Sequence, residues 1–404
     1  MEPKLSFTIP SIHDDTVLDC RLYYSTSSNI GSGLYRARGA VIAHPYAPLG
    51  GCYDDPVVGL VVSEISKLSF GFICTFNFRG AYGSAGHTSW TGKAERADYE
   101  SVVGFMIEYL RRCDVETTAD NEVFDIQSSL PIQLVLGGYS YGSWICTHLP
   151  TPADVLKAFD AATEGSAYTE IKSRAHHLAM QTILEIRSTQ RDSNAHHGHT
   201  LSVGGEETSP EKRRRSGENS PSRFSSDVRK SLDFARKLGS LRKKQDESSS
   251  LIAGTQAEAA DHTTVELIKS PVPELKVAYL LVSPLLPPIS AFVTLPFSSN
   301  ALRAHSEVDL QKFSSNPTLA VFGPDDMFTS GKKLRAWAKE IGGKPASQFH
   351  FVEVEGAGHF WRSHSAQRVL RTAIRQWFES LSNGTTSCVV TKPTADESCN
   401  PGDG

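Results

Sequence analysis

IQLVLGGYSYGSWIC, residues 132–146, is the stretch that decides the fold. Ile132 to Leu136 is an apolar run of strand type, Gly138-Tyr139-Ser140-Tyr141-Gly142 is a G-x-S-x-G pattern, and Ser143 to His148 reads as the opening of a helix. Strand, sharp turn and helix in that order lift a serine hydroxyl out of a sheet at the carboxyl end of a strand. The serine of such a turn sits in a strained backbone conformation, so the positions two before and two after it must lack bulk where strand and helix close in. Gly138 and Gly142 meet that need. The first amides of the helix then favour negative charge beside Ser140.

Outward from this turn, the chain alternates short β-type runs with helical stretches, the rhythm of an α/β sheet. Candidate strands before the turn are Leu5 to Ile9, Cys20 to Ser25, Ala40 to Ala43 and Phe72 to Phe76. The last two, like Ile132 to Leu136, are continuous apolar runs, as expected when helices cover both faces. Asp55 is a plausible N-cap followed by Pro56 at the first helical position, opening a helix through Val57, Val58, Leu60, Val61 and Ile65. A second helix is expected from about Arg96 to Arg111. The pattern resumes with strands at Val277 to Val282, Leu319 to Phe322 and Phe349 to Val354. A helix near Ser365 to Leu381 then places Val369, Leu370, Ile374, Trp377 and Phe378 on one face. The expected fold class is therefore α/β, with a mostly parallel sheet of about eight strands flanked by helices.

The length of 404 residues permits a large core, and a net charge of −4 excludes a surface built throughout for nucleic acid or anionic membrane. No run approaches the roughly 18 apolar residues of a membrane span, and the start MEPKLSFTIPSIHDD has no signal-peptide character. The expected location is cytoplasmic. The seven cysteines are odd in number and scattered without a CxxC pair, so neither a disulfide framework nor a zinc site is indicated. No metal or other cofactor is expected: there is no Walker P-loop, no HExxH and no dinucleotide-binding glycine fingerprint.

The middle of the chain differs. From Arg187 to His262, Ser is abundant and large apolar residues fall below the share where disorder becomes the default. The expected organisation is residues 1–186 and 265–381 as two parts of one α/β domain, 187–264 as a disordered Ser-rich basic insert, and 382–404 as a loose tail. Within the insert, residues 211–244 hold 12 Lys or Arg against 4 Asp or Glu. Val228, Leu232, Ala235, Leu238 and Leu241 recur there at intervals of four and three among basic residues. That pattern fits either weak contact with a membrane surface or protein, or a solvated stretch with chance periodicity. Lys212 to Arg215 also fits a nuclear-import cluster.

A serine nucleophile needs a base, and the base an orienting acid. Leu319 to Phe322 runs into Gly323-Pro324-Asp325-Asp326-Met327-Phe328, which puts two carboxylates just past a strand. Phe349 to Val354 runs into Glu355-Gly356-Ala357-Gly358-His359-Phe360, which puts a histidine on a glycine-rich loop after the next strand. Ser, Asp, His is the chain order of one known arrangement of this chemistry. A tetrahedral oxyanion needs two preorganised N–H donors. One is expected from the amide of Tyr141. The other is expected from the loop Ala43-His44-Pro45-Tyr46-Ala47-Pro48-Leu49-Gly50-Gly51, with Tyr46 the best single candidate and Ala47 next. His44 and Arg79, at the same edge of the sheet, are candidates for the substrate pocket, Arg79 either gripping a substrate carboxylate or bracing loops.

With these residues in place, the chain resembles the α/β-hydrolase superfamily. His44-Pro45, Gly50-Gly51, Asp55-Pro56-Val57-Val58, Asn77-Phe78-Arg79-Gly80 with Gly83 to Gly86, the Ser140 turn, Gly323 to Phe328 and Gly356 to His359 are similar to a microbial and fungal branch related to dienelactone hydrolases and prolyl-type peptidases. The resemblance covers about residues 1–186 and 265–381. It selects Asp326 over Asp325, because the acid of similar sequences stands three residues after the glycine and two before the phenylalanine. HPYAPLGG departs from the HGGG form of the oxyanion loop. The resemblance implies a serine hydrolase of the carboxylesterase or thioesterase type acting on a small-molecule acyl substrate. Ser140 would be the nucleophile, His359 the base and Asp326 its orienting acid. Two alternatives stand beside it: a prolyl-type serine peptidase, and a non-catalytic hydrolase-fold protein that binds partners through the basic insert. Pro284 to Phe313, rich in Pro, Leu and Phe, is expected to shape the acyl pocket.

Overall fold

In a computed structural model of the chain, the structure describes residues 2–25, 38–68, 70–89, 91–118, 131–196, 274–286 and 306–383. All belong to one unit, Met1–His199 with Ser270–Gly404. Eight strands form one sheet: β1 (Leu5–Pro10), β2 (Val17–Tyr23), β3 (Arg38–Ala43), β4 (Phe72–Phe76), β5 (Ile132–Tyr139), β6 (Leu275–Val282), β7 (Thr318–Phe322) and β8 (Phe349–Glu353). Their spatial order is β1-β2-β4-β3-β5-β6-β7-β8. β2 is antiparallel to both neighbours, and every pairing from β4 to β8 is parallel. The carboxyl ends of β3, β4, β5, β7 and β8 therefore open onto one edge, which is where parallel α/β sheets place their sites.

The central strands are buried on both faces because their side chains alternate between two apolar layers. Val41, Ala43, Cys74, Leu134 and Leu136 point into one layer, and Ala40, Ile42, Ile73 and Val135 into the other. Two helices cover the second layer: α1 (Pro56–Lys67) and α8 (His364–Asn383). Asp55 caps α1, its Oδ1 accepting from the amides of Val57 (2.8 Å) and Val58 (3.4 Å), with Pro56 at the first helical position as the sequence indicates. Glu64 of α1 is buried against α8. Burial alone would raise its carboxyl, but Lys67, Arg371 and Arg375 outweigh that and hold it at about 2.

The first layer is covered by α2 (Lys93–Thr118), α3 (Tyr141–Thr147), α4 (Pro152–Asp160), α5 (Ala167–His196), α6 (Ser306–Ser315) and α7 (Gly331–Gly342). α5 presents Ile171, Ala175, Ala179, Ile183 and Ile186 to this layer at intervals of three and four. It continues to His196, so the insert expected to begin at Arg187 opens with the last turns of this helix. Residues 197–273, with the basic pattern of 211–244, lie outside the described residues, as do 287–305 of the expected pocket segment and the tail beyond Asn383. Cys20, Cys74, Cys113 and Cys146 are buried. Among the described residues no helix is long and apolar enough to cross a membrane.

Candidate active site

The turn after β5 has the geometry the glycines imply. Ser140 takes φ 56° and ψ −115°, a conformation non-glycine residues rarely adopt, and holds it through bonds on both sides. Its amide donates to Val282 O at the end of β6 (2.9 Å), and its carbonyl accepts from the amide of Trp144 in α3 (3.0 Å). A Cβ on Gly138 would stand 2.4 Å from the Gly142 carbonyl carbon, and one on Gly142 would stand 2.6 Å from both Ala43 O and His44 O. Strand, helix and the loop after β3 meet at backbone-to-backbone distance. Any side chain at either position would push them apart.

Three side chains converge above this turn. His359, in the loop after β8, places Nε2 2.8 Å from Ser140 Oγ and Nδ1 2.6 Å from Asp326 Oδ2. Asp326, in the loop after β7, is held by the amides of Phe328 (2.8 Å) and Thr329 (3.0 Å), which donate to its Oδ1 and leave Oδ2 for the imidazole. Ser140, Asp326 and His359 are 6%, 6% and 3% exposed, so the chain of hydrogen bonds is shielded from water. Phe328 packs edge-on to the His359 ring at 4.5 Å, and Phe360 flanks it at 5.5 Å. Neighbouring Asp325 is exposed and serves the fold through its backbone, which bridges to Gly358 and donates to Ala357 O (3.3 Å).

Tyr141 is the first residue of α3, and Tyr46 precedes a short 3₁₀ turn, Ala47–Leu49; their rings lie 5.0 Å apart. The loop after β3 thus lies against the start of α3, the juxtaposition a two-amide oxyanion site requires. Tyr46 O accepts from the amides of Leu49 (3.1 Å) and Gly51 (3.2 Å), which folds the HPYAPLGG loop tightly on itself.

The two residues offered for the substrate pocket are turned inward instead. His44 is fully buried: the amide of Phe78 donates to its Nε2 (2.9 Å), so Nδ1 carries the proton and donates to Pro45 O (2.5 Å). Burial pushes its pKa down to about 4, against a smaller upward pull from the Pro45 carbonyl. Arg79 is also buried. Nε and Nη2 donate to Asp98 (2.9 and 2.7 Å), Nη1 to Asp14 (2.9 Å), and Nη2 further to Ser11 Oγ (3.1 Å) and Asp14 (3.1 Å). Both are braces between loops, and neither offers a nitrogen to a ligand; for Arg79 this is the bracing half of the expectation. No group of acidic, histidine or cysteine side chains suited to a metal occurs among the described residues.

Sequence reasoning missed the residues that hold the site from behind. Tyr99 of α2 sits under Gly137, its hydroxyl accepting from that amide at 3.0 Å and lying 2.7 Å from the Gly137 carbonyl. Tyr139 donates its hydroxyl to His359 O (2.8 Å). Only the long apolar face of α2 and the placement of Tyr139 beside the nucleophile hinted at these partners.

The strand order, the single antiparallel β2, the strained serine between β5 and α3, and the acid and histidine after β7 and β8 define an α/β-hydrolase fold. No family model and no curated protein matches the sequence. Among solved structures the chain is similar to an alpha-beta serine hydrolase homologue from Coxiella burnetii, at 14% identity over 93% of this chain and 98% of that one, with a TM-score of 0.41. It is similar also to XC6422 of Xanthomonas campestris, described as an a/b serine hydrolase without lid (12% identity, 94% and 97% covered, TM-score 0.43). A third is Est1E of Butyrivibrio proteoclasticus, solved with ferulic acid bound (12% identity, 93% and 99% covered, TM-score 0.43). The fold assignment rests on this chain's own strand order and turn.

Proposed function

We propose that the protein is a serine hydrolase that cleaves an ester or thioester by acyl transfer. The observation that carries this reading is the continuous line from Asp326 through the His359 imidazole to Ser140 Oγ, with the serine at φ 56°. Ser140 Oγ attacks the carbonyl carbon while His359 Nε2 takes its proton, giving a tetrahedral oxyanion bound by the amides of Tyr141 and Tyr46. Collapse breaks the bond to the leaving oxygen or sulfur, and His359 returns the proton to it. Water then enters by the same route in reverse: His359 takes a proton from it, the acyl group leaves as a carboxylic acid, and Ser140 recovers its proton. Asp326 stays ionised throughout and fixes the tautomer with the proton on Nδ1.

The expected result on a short-chain p-nitrophenyl ester is turnover that passes through an acyl-enzyme. Intact-mass analysis of quenched protein should show the acyl increment, mapped to the peptide containing Ser140. Ser140→Ala should lose both the increment and, by about 10⁴-fold or more, the turnover. Turnover that survives in a folded Ser140→Ala protein would defeat the proposal.

A further inference from the structure

The loop that carries His359 is fastened at two points to the strand ends that carry Ser140. Tyr139 immediately precedes Ser140, and its hydroxyl donates to the main-chain carbonyl of His359 (2.8 Å), with the two rings 5.6 Å apart. One residue therefore bears the nucleophile on its main chain and the base on its side chain. The second fastening lies on β6. Val282 accepts the Ser140 amide, and the next residue, Ser283, accepts from the indole Nε1 of Trp361 (3.0 Å), two residues past His359.

Both partners of that second bond have positive φ, 46° at Ser283 and 49° at Trp361. For a bulky residue such as tryptophan this is a conformational outlier, and such strain persists only where the surroundings impose it. The surroundings do so: Ser283 and Trp361 are 0% and 1% exposed, the Ser283 amide donates to Val321 O (2.8 Å), and the Trp361 carbonyl accepts from Gln367 of α8 (2.8 Å). Burial also raises the Tyr139 phenol above its ordinary range, which keeps the proton on its hydroxyl and favours its role as donor.

We propose that Tyr139 and the Ser283–Trp361 pair are positioning residues, which set the His359 imidazole at hydrogen-bonding distance from Ser140. They touch no reacting atom and act only through His359. The inference rests on the acyl-transfer reading above. Strained backbone on both sides of the second bond is what a rigid scaffold would spend to hold a histidine loop that has no regular secondary structure of its own.

The test is a double-mutant cycle in the full chain, read as kcat and KM on a p-nitrophenyl ester and as the rate of labelling by a fluorophosphonate. Tyr139→Phe keeps the ring and removes one hydroxyl. It should lower kcat by about tenfold to a hundredfold, the scale of a small misplacement, with KM within about twofold. Ser283→Ala should do the same to a lesser degree, and it reads the second fastening even where Trp361→Phe fails to fold. In a His359→Ala background neither change should lower the remaining rate further, because there is no imidazole left to position. A loss of equal size in both backgrounds, or no loss in either variant alone, would overturn the proposal. Failure of the underlying chemistry is read separately: Ser140→Ala that keeps its turnover removes both readings, whereas an unimpaired Tyr139→Phe enzyme that Ser140→Ala inactivates removes this one alone.

Discussion

Two pairs of loops meet at the same edge of the sheet and use the same residue types to opposite ends. After β3 and β4, His44 and Arg79 are buried with every nitrogen bonded within the fold: His44 to two backbone groups, Arg79 to Asp98, Asp14 and Ser11. After β7 and β8, Asp326 and His359 are just as buried, but their bonds run in one direction and finish on a hydroxyl with no other partner role. A histidine locked between an amide and a carbonyl has no use for a second proton. A histidine between a carboxylate and a serine can accept one and is stabilised when it does. The difference is one of partners, and burial or position at the sheet edge does not reveal it.

That contrast breaks most readily at the acids. Asp326→Asn should leave the protein folded and lower kcat by about 10³- to 10⁴-fold, because an amide no longer selects the productive imidazole tautomer. Asp325→Asn should stay within about twofold of the wild type, since that residue acts through its backbone. Equal losses in the two variants, measured on one ester, would erase the distinction between them.

Next in size is a loss of stability. Arg79→Ala would strand the buried carboxylate of Asp98, whose side chain is 0% exposed, at a cost of about 3–5 kcal/mol in denaturant unfolding. Arg79→Lys should recover part of that without restoring the two-nitrogen grip on Asp98. A substrate-gripping arginine would behave the other way, with unchanged unfolding and a raised KM.

The smallest effect is the pH dependence of stability set by His44. Its folded pKa of about 4 lies below the ordinary histidine value, so the unfolded chain binds the proton first as pH falls. Stability should be unaffected above about pH 6.5, decline as pH falls through that value and level off below about 4, by roughly 3 kcal/mol in all. His44→Gln should be less stable at neutral pH and flatter across that window. An equally steep decline in the variant would place the proton elsewhere.

Most of the fold could be read in the chain because the central strands are continuous apolar runs ended by glycine and proline, and because Asp55-Pro56 marks a helix start without ambiguity. The triad candidates were legible for a related reason: each stands one to six residues past a strand, where a parallel sheet gathers them. Asp326 was separated from Asp325 only by resemblance, since the amides of Phe328 and Thr329 that select it exist only once the turn is folded. α5 was missed altogether, although Ile171, Ala175, Ala179, Ile183 and Ile186 form an apolar stripe at helical spacing, and the Ser-rich window opening at Arg187 took in its last turns. His44 and Arg79 were offered to a ligand because their partners, Phe78, Asp98 and Asp14, lie 19 to 65 residues away and nothing local announces them. The Ser283–Trp361 bond spans 78 residues and was invisible for the same reason.

The most direct test of the account is labelling by a fluorophosphonate probe with mass-spectrometric site mapping, run on the wild type, Ser140→Ala and His359→Ala. The account predicts a single adduct on Ser140, absent from Ser140→Ala and slowed by orders of magnitude in His359→Ala. An adduct on another serine, or labelling of Ser140 at an unchanged rate without His359, would contradict it.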